Sequence, residues 1–501
     1  MAIVFYIAAA RLLLLLLTAS RYGYFGDELY FLACSEHLDW GYVDQPPLIA
    51  LIVRLERALT GDSLLSLRFL PALAGSVKVV LAGLVARQFG ARRFGMALAA
   101  LATACAGIFL AIDHLITMNA FEPLFWMGCA YILVRIIQTG NQKLWLWFGA
   151  VAGLGLQNKY SMLVFGFGVA VGLLATRQRR FLKSPWIWLG GAMAFLIFLP
   201  NLIWNVQHHW PFIELTRNVR SSGKDIAYGP ASFIAQQILL MTPLTFPIWL
   251  AGLLWLFFSE RGRAYRALGW AFAVTFGVFL LAKSKNYYVA PAYPVVFAAG
   301  GLALDEAIDR IRQAWLRPVF VVLLLAATAL LLPTLIPVLP VDAYLRYQDK
   351  LPFALPATER SHLSARLPHH FAWQFGWEEM TAGAARAYYS LPPEERPKAA
   401  IFGQDFGQAG AIDFLGRRYG LPKAIGGHQN YYLWGPRNYT GEVVIVLGDK
   451  PENLKRYFMN IQVAAEVYNP YARPGVNRPV LICRQPNFSL QEAWPKLKNW
   501  H

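Results

Sequence analysis

The chain is short of charge. Only 15% of its 501 residues are Asp, Glu, Lys or Arg, where a soluble domain carries about 25%. With 56% hydrophobic residues and a mean hydropathy of +0.38, that deficit excludes an ordinary soluble protein. Acid is scarcer than base, 29 against 46 residues, for a formal charge of +17. The excess does not point to nucleic acid, because the Arg and Lys sit in short clusters between apolar runs, the pattern of loops held in the cytoplasm. Cysteine is scarce too. Cys105 and Cys129 lie in apolar runs and read as small hydrophobes, and no spacing argument joins Cys34 to Cys483. Metal-ligand spacings are missing: His208-His209 and His369-His370 are adjacent pairs, which point apart on most backbones. No metal and no cofactor are expected. No internal repeat is evident, and low complexity is confined to the leucine runs at 12–17 and 323–332.

What the chain has is apolar runs of membrane-spanning length, and it reads as a polytopic α-helical membrane protein. Eleven spans are expected, near 2–19, 66–86, 94–112, 121–138, 144–157, 160–176, 185–203, 231–257, 267–282, 287–304 and 318–338. The first lacks a basic stretch before it and a clean cleavage site after it, so it reads as a signal anchor. Arg11 in its middle is costly at bilayer depth unless it faces other helices or the true start lies elsewhere. With the N-terminus in the cytoplasm, the inside loops carry Arg87, Arg92 and Arg93; Arg135 and Lys143; Arg177, Arg179, Arg180 and Lys183; Arg261, Arg263 and Arg266; and Arg310, Arg312 and Arg317. Every inside loop is then basic, as the positive-inside rule requires. The span at 144–157 covers only about 21 Å against a hydrocarbon core of roughly 30 Å. Its outer end carries Lys159, which either snorkels to the interface or sits where a lipid phosphate would lie.

The acids gather outside. The loop 20–65 holds Asp27, Glu28, Glu36, Asp39 and Asp44 before Gln45 and a Pro-Pro pair. "DELYFLACSEHLDW" reads as a short helix begun by Asp27, and "PLIALIVRLERALTG" as a second opened by the prolines and closed near Gly61. Both are half apolar and are expected to lie in the membrane interface. A carboxylate there can serve as general base toward an acceptor hydroxyl or amine, while a phosphate leaving group needs positive charge. Lys159, Lys283, Lys285, Arg217 and Arg220 are the external cations. Asp113 and Glu122 flank a second acidic stretch, "DHLITMNAFEP". One of them would hold the substrate or orient the first acid, although Glu122 also reads as a capping carboxylate at a helix start.

After about residue 340 polar residues and prolines increase. Strands are expected at 398–405, 442–449 and 480–485 and helices at 406–420 and 451–458, a small α/β domain over 341–501. Gly403, Gly407 and Gly410 lack phosphate-loop spacing and read as tight turns. The aromatic and amide-rich stretch 427–439 is either a sugar-stacking surface or a packed loop.

"YFGDELYFLA…LDWGYVDQPPL" resembles the first external loop of bacterial GT-C glycosyltransferases, the polyprenyl-phosphate-sugar-dependent enzymes related to protein O-mannosyltransferases and the lipid A aminoarabinose transferase. "HLITMNAFEPLFWMGCAY", "GLGLQNKYSML", "LPNLIWNVQHHWPF" and "KSKNYYVAPAYPVVFAAGG" resemble further blocks, so the likeness covers roughly residues 20–300. It implies a transmembrane GT-C catalytic domain over 1–340 with the periplasmic loop 20–65, in the bacterial inner membrane, its active site and C-terminal domain periplasmic. The implied reaction moves a sugar from a polyprenyl-phosphate donor to a lipid, glycan or protein acceptor with inversion. It implies Asp27 as the catalytic carboxylate with Glu28 beside it. Lys159 and the loop bearing Lys283, Lys285, Tyr287 and Tyr288 would engage the donor phosphate, with Asp44, Gln45, Asp113 and Glu122 as further substrate-binding positions. The family often has Lys or His where this chain has Gln45, which removes a possible cation. The alternative, a transporter or flippase of lipid-linked sugars, would place ionisable groups at the midplane and show repeated halves.

Overall fold

The computed structural model describes residues 1–353, 357, 359 and 365–501. In chain order, the longer elements are α1 (Ala2–Thr18), α2 (Gly26–Glu36), α3 (Leu48–Thr60), α4 (Phe69–Phe89), α5 (Arg93–Cys105), α6 (Gly107–Asp113), α7 (Met118–Thr139), α8 (Leu144–Asn158), α9 (Met162–Leu174) and α10 (Pro185–Gln207). They continue as α11 (Pro211–Ser222), α12 (Pro230–Leu240), α13 (Phe246–Phe258), α14 (Arg266–Leu281), α15 (Tyr293–Ile311), α16 (Leu316–Leu335), α17 (Val341–Gln348), α18 (Trp377–Ser390) and α19 (Phe406–Leu415). The strands are β1 (Ala399–Gly403), β2 (Val443–Leu447), β3 (Phe458–Ala465) and β4 (Val480–Pro486). The chain divides into two compact units: Met1–Arg21, Leu65–Trp204 and Ala227–Thr358 form one, and Tyr22–Leu64, Asn205–Ile226 and Glu359–His501 the other.

The first unit is all helix, as hydrocarbon demands, because a helix satisfies its own backbone. Among the described residues six helices are long and apolar enough to cross a membrane, or up to eight if each of two bent pairs counts as one span. The expected eleven are not reproduced at full length. α1 and α9 are apolar but short, and the runs at 94–112 and 231–257 are broken, by 60° between α5 and α6 and by 97° between α12 and the segment Pro243–Phe258.

The two breaks are joined. Thr242, buried at φ 67, donates its hydroxyl to the Cys105 carbonyl at 2.8 Å and accepts from the Gly107 N–H at 3.1 Å. One side chain thus satisfies two backbone groups that the break leaves open where no water can reach them. Elsewhere small residues bring helices to backbone contact. On α15, Gly300 faces the Ile248 carbonyl of α13 and its neighbour Gly301 faces the Gly95 carbonyl of α5; a Cβ at either would meet those oxygens.

In the second unit, the sheet order is β1-β2-β4-β3. β1 and β2 are parallel, Ala399 opposite Val443 through Gly403 opposite Leu447, and β4 runs antiparallel to both β2 and β3. Every residue of β1 and β2 is buried, the pattern of strands covered on both faces. The expected strands at 398–405, 442–449 and 480–485 and the helix from 406 are present. The expected helix at 451–458 is only a turn, Pro451–Leu454, and Phe458 instead opens β3. This strand occupies the sheet edge with most of its side chains partly or fully exposed, so it lacks the apolar run that marked the others.

The loop helices differ from their expected setting. α3 is amphipathic, burying Ile49, Ala50, Val53 and Glu56 and exposing Leu51, Leu55 and Leu59, the last to 82%. That is the face of an interfacial helix. α2 is instead buried almost throughout, from Glu28 to Ser35, because it packs against α19 on one side and α3 on the other. All four cysteines are buried free thiols.

Candidate functional site

α2 places the adjacent acids in opposite settings. Its first turn carries both Asp27 and Glu28, where the helix dipole favours negative charge. Glu28, the third residue, is fully buried, and its Oε2 accepts from the Phe25 N–H at 2.8 Å, capping the helix. Asp27, one residue earlier, is only partly buried. Further along the loop, Asp44 accepts from the Tyr30 hydroxyl at 3.0 Å, and burial pushes its carboxyl up to about 6. Tyr30 also donates to the Asn430 amide oxygen at 3.3 Å, and the same oxygen accepts from the Val43 N–H at 2.7 Å. Gln45 is fully buried against the Cys34 sulfur at 4.0 Å, which turns it inward.

In the membrane unit a second group forms where α7, α8 and the turn Asn286–Ala292 converge. The Lys159 ammonium lies 2.9 Å from Glu122 Oε2 and 2.8 Å from Asn119 Oδ1. It also stands over the Tyr288 ring at 4.4 Å and the Tyr287 ring at 5.8 Å. Ser161 donates to the other Glu122 oxygen. Lys159, Glu122, Tyr287 and Tyr288 were all expected at the site, and they come together. Glu122 does not cap a span starting at 121, since α7 begins at Met118; it is the acid of a buried ion pair. Lys283 is exposed at φ 50, and Lys285 is half-buried just before the 286–292 turn.

Asp113 has a different role from the one expected. It is wholly buried, with Oδ2 2.6 Å from the Arg11 guanidinium and Oδ1 2.8 Å from the Lys78 ammonium. Arg11 also donates to the Thr103 carbonyl at 3.1 Å, and Lys78 sits over the Phe109 ring at 4.2 Å. Both carboxylate oxygens are engaged by cations, so Asp113 is an internal counter-ion and presents no oxygen to a substrate. It also answers the question of Arg11, which faces helices and not lipid.

The family described as dolichyl-phosphate-mannose-protein mannosyltransferase matches residues 44–204. A lipid A galacturonosyltransferase, RgtD of Rhizobium johnstonii, is 27% identical over 252 residues, covering 48% of this chain and 50% of that protein. The chain thus aligns with about half the length of this curated relative. Among solved structures, ArnT of Cupriavidus metallidurans in the apo state superposes with a TM-score of 0.62 at 15% identity, over 95% of this chain and 97% of that one. The same protein bound to undecaprenyl phosphate gives 0.61 at 16% identity, with the same coverage. Over nearly its whole length the chain has the fold of these ArnT structures. An oligosaccharyltransferase from Archaeoglobus fulgidus shares the fold more loosely, with a TM-score of 0.50 at 14% identity over 88% of this chain and 67% of that one.

Two residues of the Lys159 cluster were missed from sequence, Asn119 and Ser161. Each had a local signal. Asn119 precedes Glu122 by three, on one helix face, and Ser161 follows Lys159 by two. Glycines in "FGQDFGQAG" do not form a phosphate cradle. Asp405 accepts from the Gln408 N–H at 2.8 Å, and His428 Nδ1 accepts from the Phe406 N–H at 3.1 Å, so those first-turn amides are already taken. Burial holds His428 down at about 3, which keeps that ring neutral and able to accept.

Proposed function

We propose that this chain is an integral-membrane glycosyltransferase that moves a sugar from a polyprenyl-phosphate donor to an acceptor on the periplasmic side, with inversion. The ArnT structure bound to undecaprenyl phosphate supports the donor class, and the RgtD description favours a lipid A-type acceptor over a glycan or protein. In the proposed step Asp27 takes a proton from the acceptor hydroxyl or amine. The freed electron pair attacks the anomeric carbon from the face opposite the phosphate. That pair becomes the new bond to the acceptor, the carbon–oxygen bond to phosphate breaks, and the polyprenyl phosphate leaves with the electrons of the broken bond. In this proposal Lys159 supplies the positive charge that a leaving phosphate needs; Glu122, Asn119 and Ser161 hold its ammonium.

One observation carries the assignment of the base. Of the acids put forward from sequence, Glu28 is spent on a cap, Asp44 is bound by Tyr30, Asp113 lies between two cations and Glu122 is paired with Lys159, while Asp27 is partly exposed in the first turn of α2. Buried charges such as Arg11, Asp113 and Lys78 are what a transporter would show, but here both oxygens of Asp113 are taken up by the two cations.

The test is transfer by purified enzyme in lipid vesicles, supplied with polyprenyl-phosphate sugar and acceptor. Asp27→Asn is expected to abolish transfer while inserting and melting as the parent does. Lys159→Ala is expected to raise the donor KM by about tenfold or more and leave acceptor KM unchanged. Full activity of Asp27→Asn would remove it from the mechanism. Profiling the lipid-linked sugars that accumulate in a deletion strain, and the glycolipid that loses a residue, names donor and acceptor.

A further inference from the structure

The α/β part of the second unit has no task in the proposed step, yet it holds the helix that carries the proposed base. α19 meets α2 backbone to backbone at Gly410. A Cβ built there would stand 2.7 Å from the Leu29 carbonyl oxygen and 2.8 Å from its carbonyl carbon. These are backbone atoms of α2, so neither can swing aside. Leu29 is two residues beyond Asp27, about 3 Å along the axis. The seam is secured at both ends. At the start of α2 the Gly26 N–H donates to the Trp373 carbonyl at 3.2 Å, and a Cβ on Gly26 would run into the Trp373 ring. At its end Glu36 is held by Lys423 at 2.6 Å and also by Arg417. Between them the Tyr30 ring lies on Phe406 at 4.7 Å. Backbone contact through a glycine leaves α2 no freedom to translate toward α19, and the end contacts prevent it from sliding.

We infer that the C-terminal α/β domain is a template that fixes where the Asp27 carboxylate stands, and that Gly410 is the positioning residue of that template. The inference rests on Asp27 being the base. It gives the domain a part in catalysis without any contact to substrate. Moving a catalytic group by about 1 Å costs on the order of a hundredfold in rate, and a side chain at Gly410 would displace α2 by that order.

Gly410→Ala and Gly410→Val are compared with the parent in the vesicle assay, with melting temperature recorded for each. The expected result is a graded loss of kcat, about tenfold for Ala and about a hundredfold for Val, at unchanged donor and acceptor KM. Gly410→Ala is the milder change and keeps the test open if the Val protein fails to fold. Each is then made in an Asp27→Glu background, whose carboxylate reaches one methylene further. If the seam acts through the carboxylate's position, Gly410→Ala costs a different factor there, since neighbouring effects do not multiply. A loss of equal factor in both backgrounds, or a fall in melting temperature that accounts for the lost activity, means an ordinary structural contact and overturns the inference. So does parental kcat in both Gly410 variants; if Asp27→Asn is inactive in the same assay, the catalytic reading survives that failure. Activity in Asp27→Asn overturns the catalytic reading itself.

Discussion

At the scale of single residues, the same kind of side chain is put to different uses by burial and partner. Asp27 and Glu28 are neighbours, yet one caps a helix from within and the other retains access to solvent. Asp44 shows what burial costs an acid. Its carboxyl stands at about 6 against an ordinary 3.8, so the folded chain holds that proton more tightly than the unfolded one. Its contribution to stability is therefore greatest below the unfolded value and is lost as pH rises through the folded one. The melting temperature is expected to fall as the medium goes from about pH 4 to about pH 7. Asp44→Asn, which still accepts from Tyr30, is expected to flatten that slope and to be the more stable form at neutral pH by up to about 3 kcal/mol. Melting curves of the two proteins across that range check it; parallel slopes would show that Asp44 is not the group responsible. The acids themselves stand out in "GDELY" and "DHLITMNAFEP". Which of them would be spent internally was not legible there, because a counter-ion such as Arg11 lies 102 residues from its acid.

At the scale of elements, hydropathy found the helices and missed their breaks. Pro243 and Pro247 stand at the break in 231–257, whereas the run 94–112 is apolar but for Thr103, and nothing local in it says that the helix stops at Ala106. The stop is made tolerable by Thr242, which is 135 residues away from the Gly107 N–H that it accepts from. Removing that hydroxyl while keeping the shape leaves a buried donor and a buried acceptor unpaired, at about 1–3 kcal/mol each. Thr242→Val is thus expected to lose about 2–5 kcal/mol and Thr242→Ser far less. The half-time of thermal inactivation in detergent separates them; equal half-times would mean that the broken ends find other partners. α2 was misplaced for a related reason. Its half-apolar composition suits an interface helix, but Gly410, the residue that lets it bury instead, lies on a helix whose sequence shows only a glycine.

At the scale of the whole molecule, composition put the change near residue 340 with α/β character beyond it, whereas the first unit runs on through α17 and the second resumes at Glu359. Composition did not show that Tyr22–Leu64 and Asn205–Ile226 would join Glu359–His501 in one compact unit. Membership in a unit is decided by non-local contacts, and the sequence marks only where polar stretches begin. Orientation is a separate matter, argued from the basic clusters after Arg87, Arg135, Arg177, Arg261 and Arg310. A reporter fused beyond His501 is expected to be active when it is one that matures only outside the cytoplasm, and silent when it is one that matures only inside. The reverse pattern would put the acids of the first loop on the wrong side for the proposed donor.

The Arg11–Asp113–Lys78 contact bears on how such a chain is made. An arginine at the centre of a lone helix costs about 2.5–3.5 kcal/mol on the insertion scale, and the acid that pairs with Arg11 lies 102 residues further along the chain. Lys78, the next member to emerge, adds charge of the same sign. Only when Asp113 is synthesised does the set acquire its acid. Over the stretch of synthesis before Asp113, this set therefore carries two positive charges without the acid that joins them in the fold.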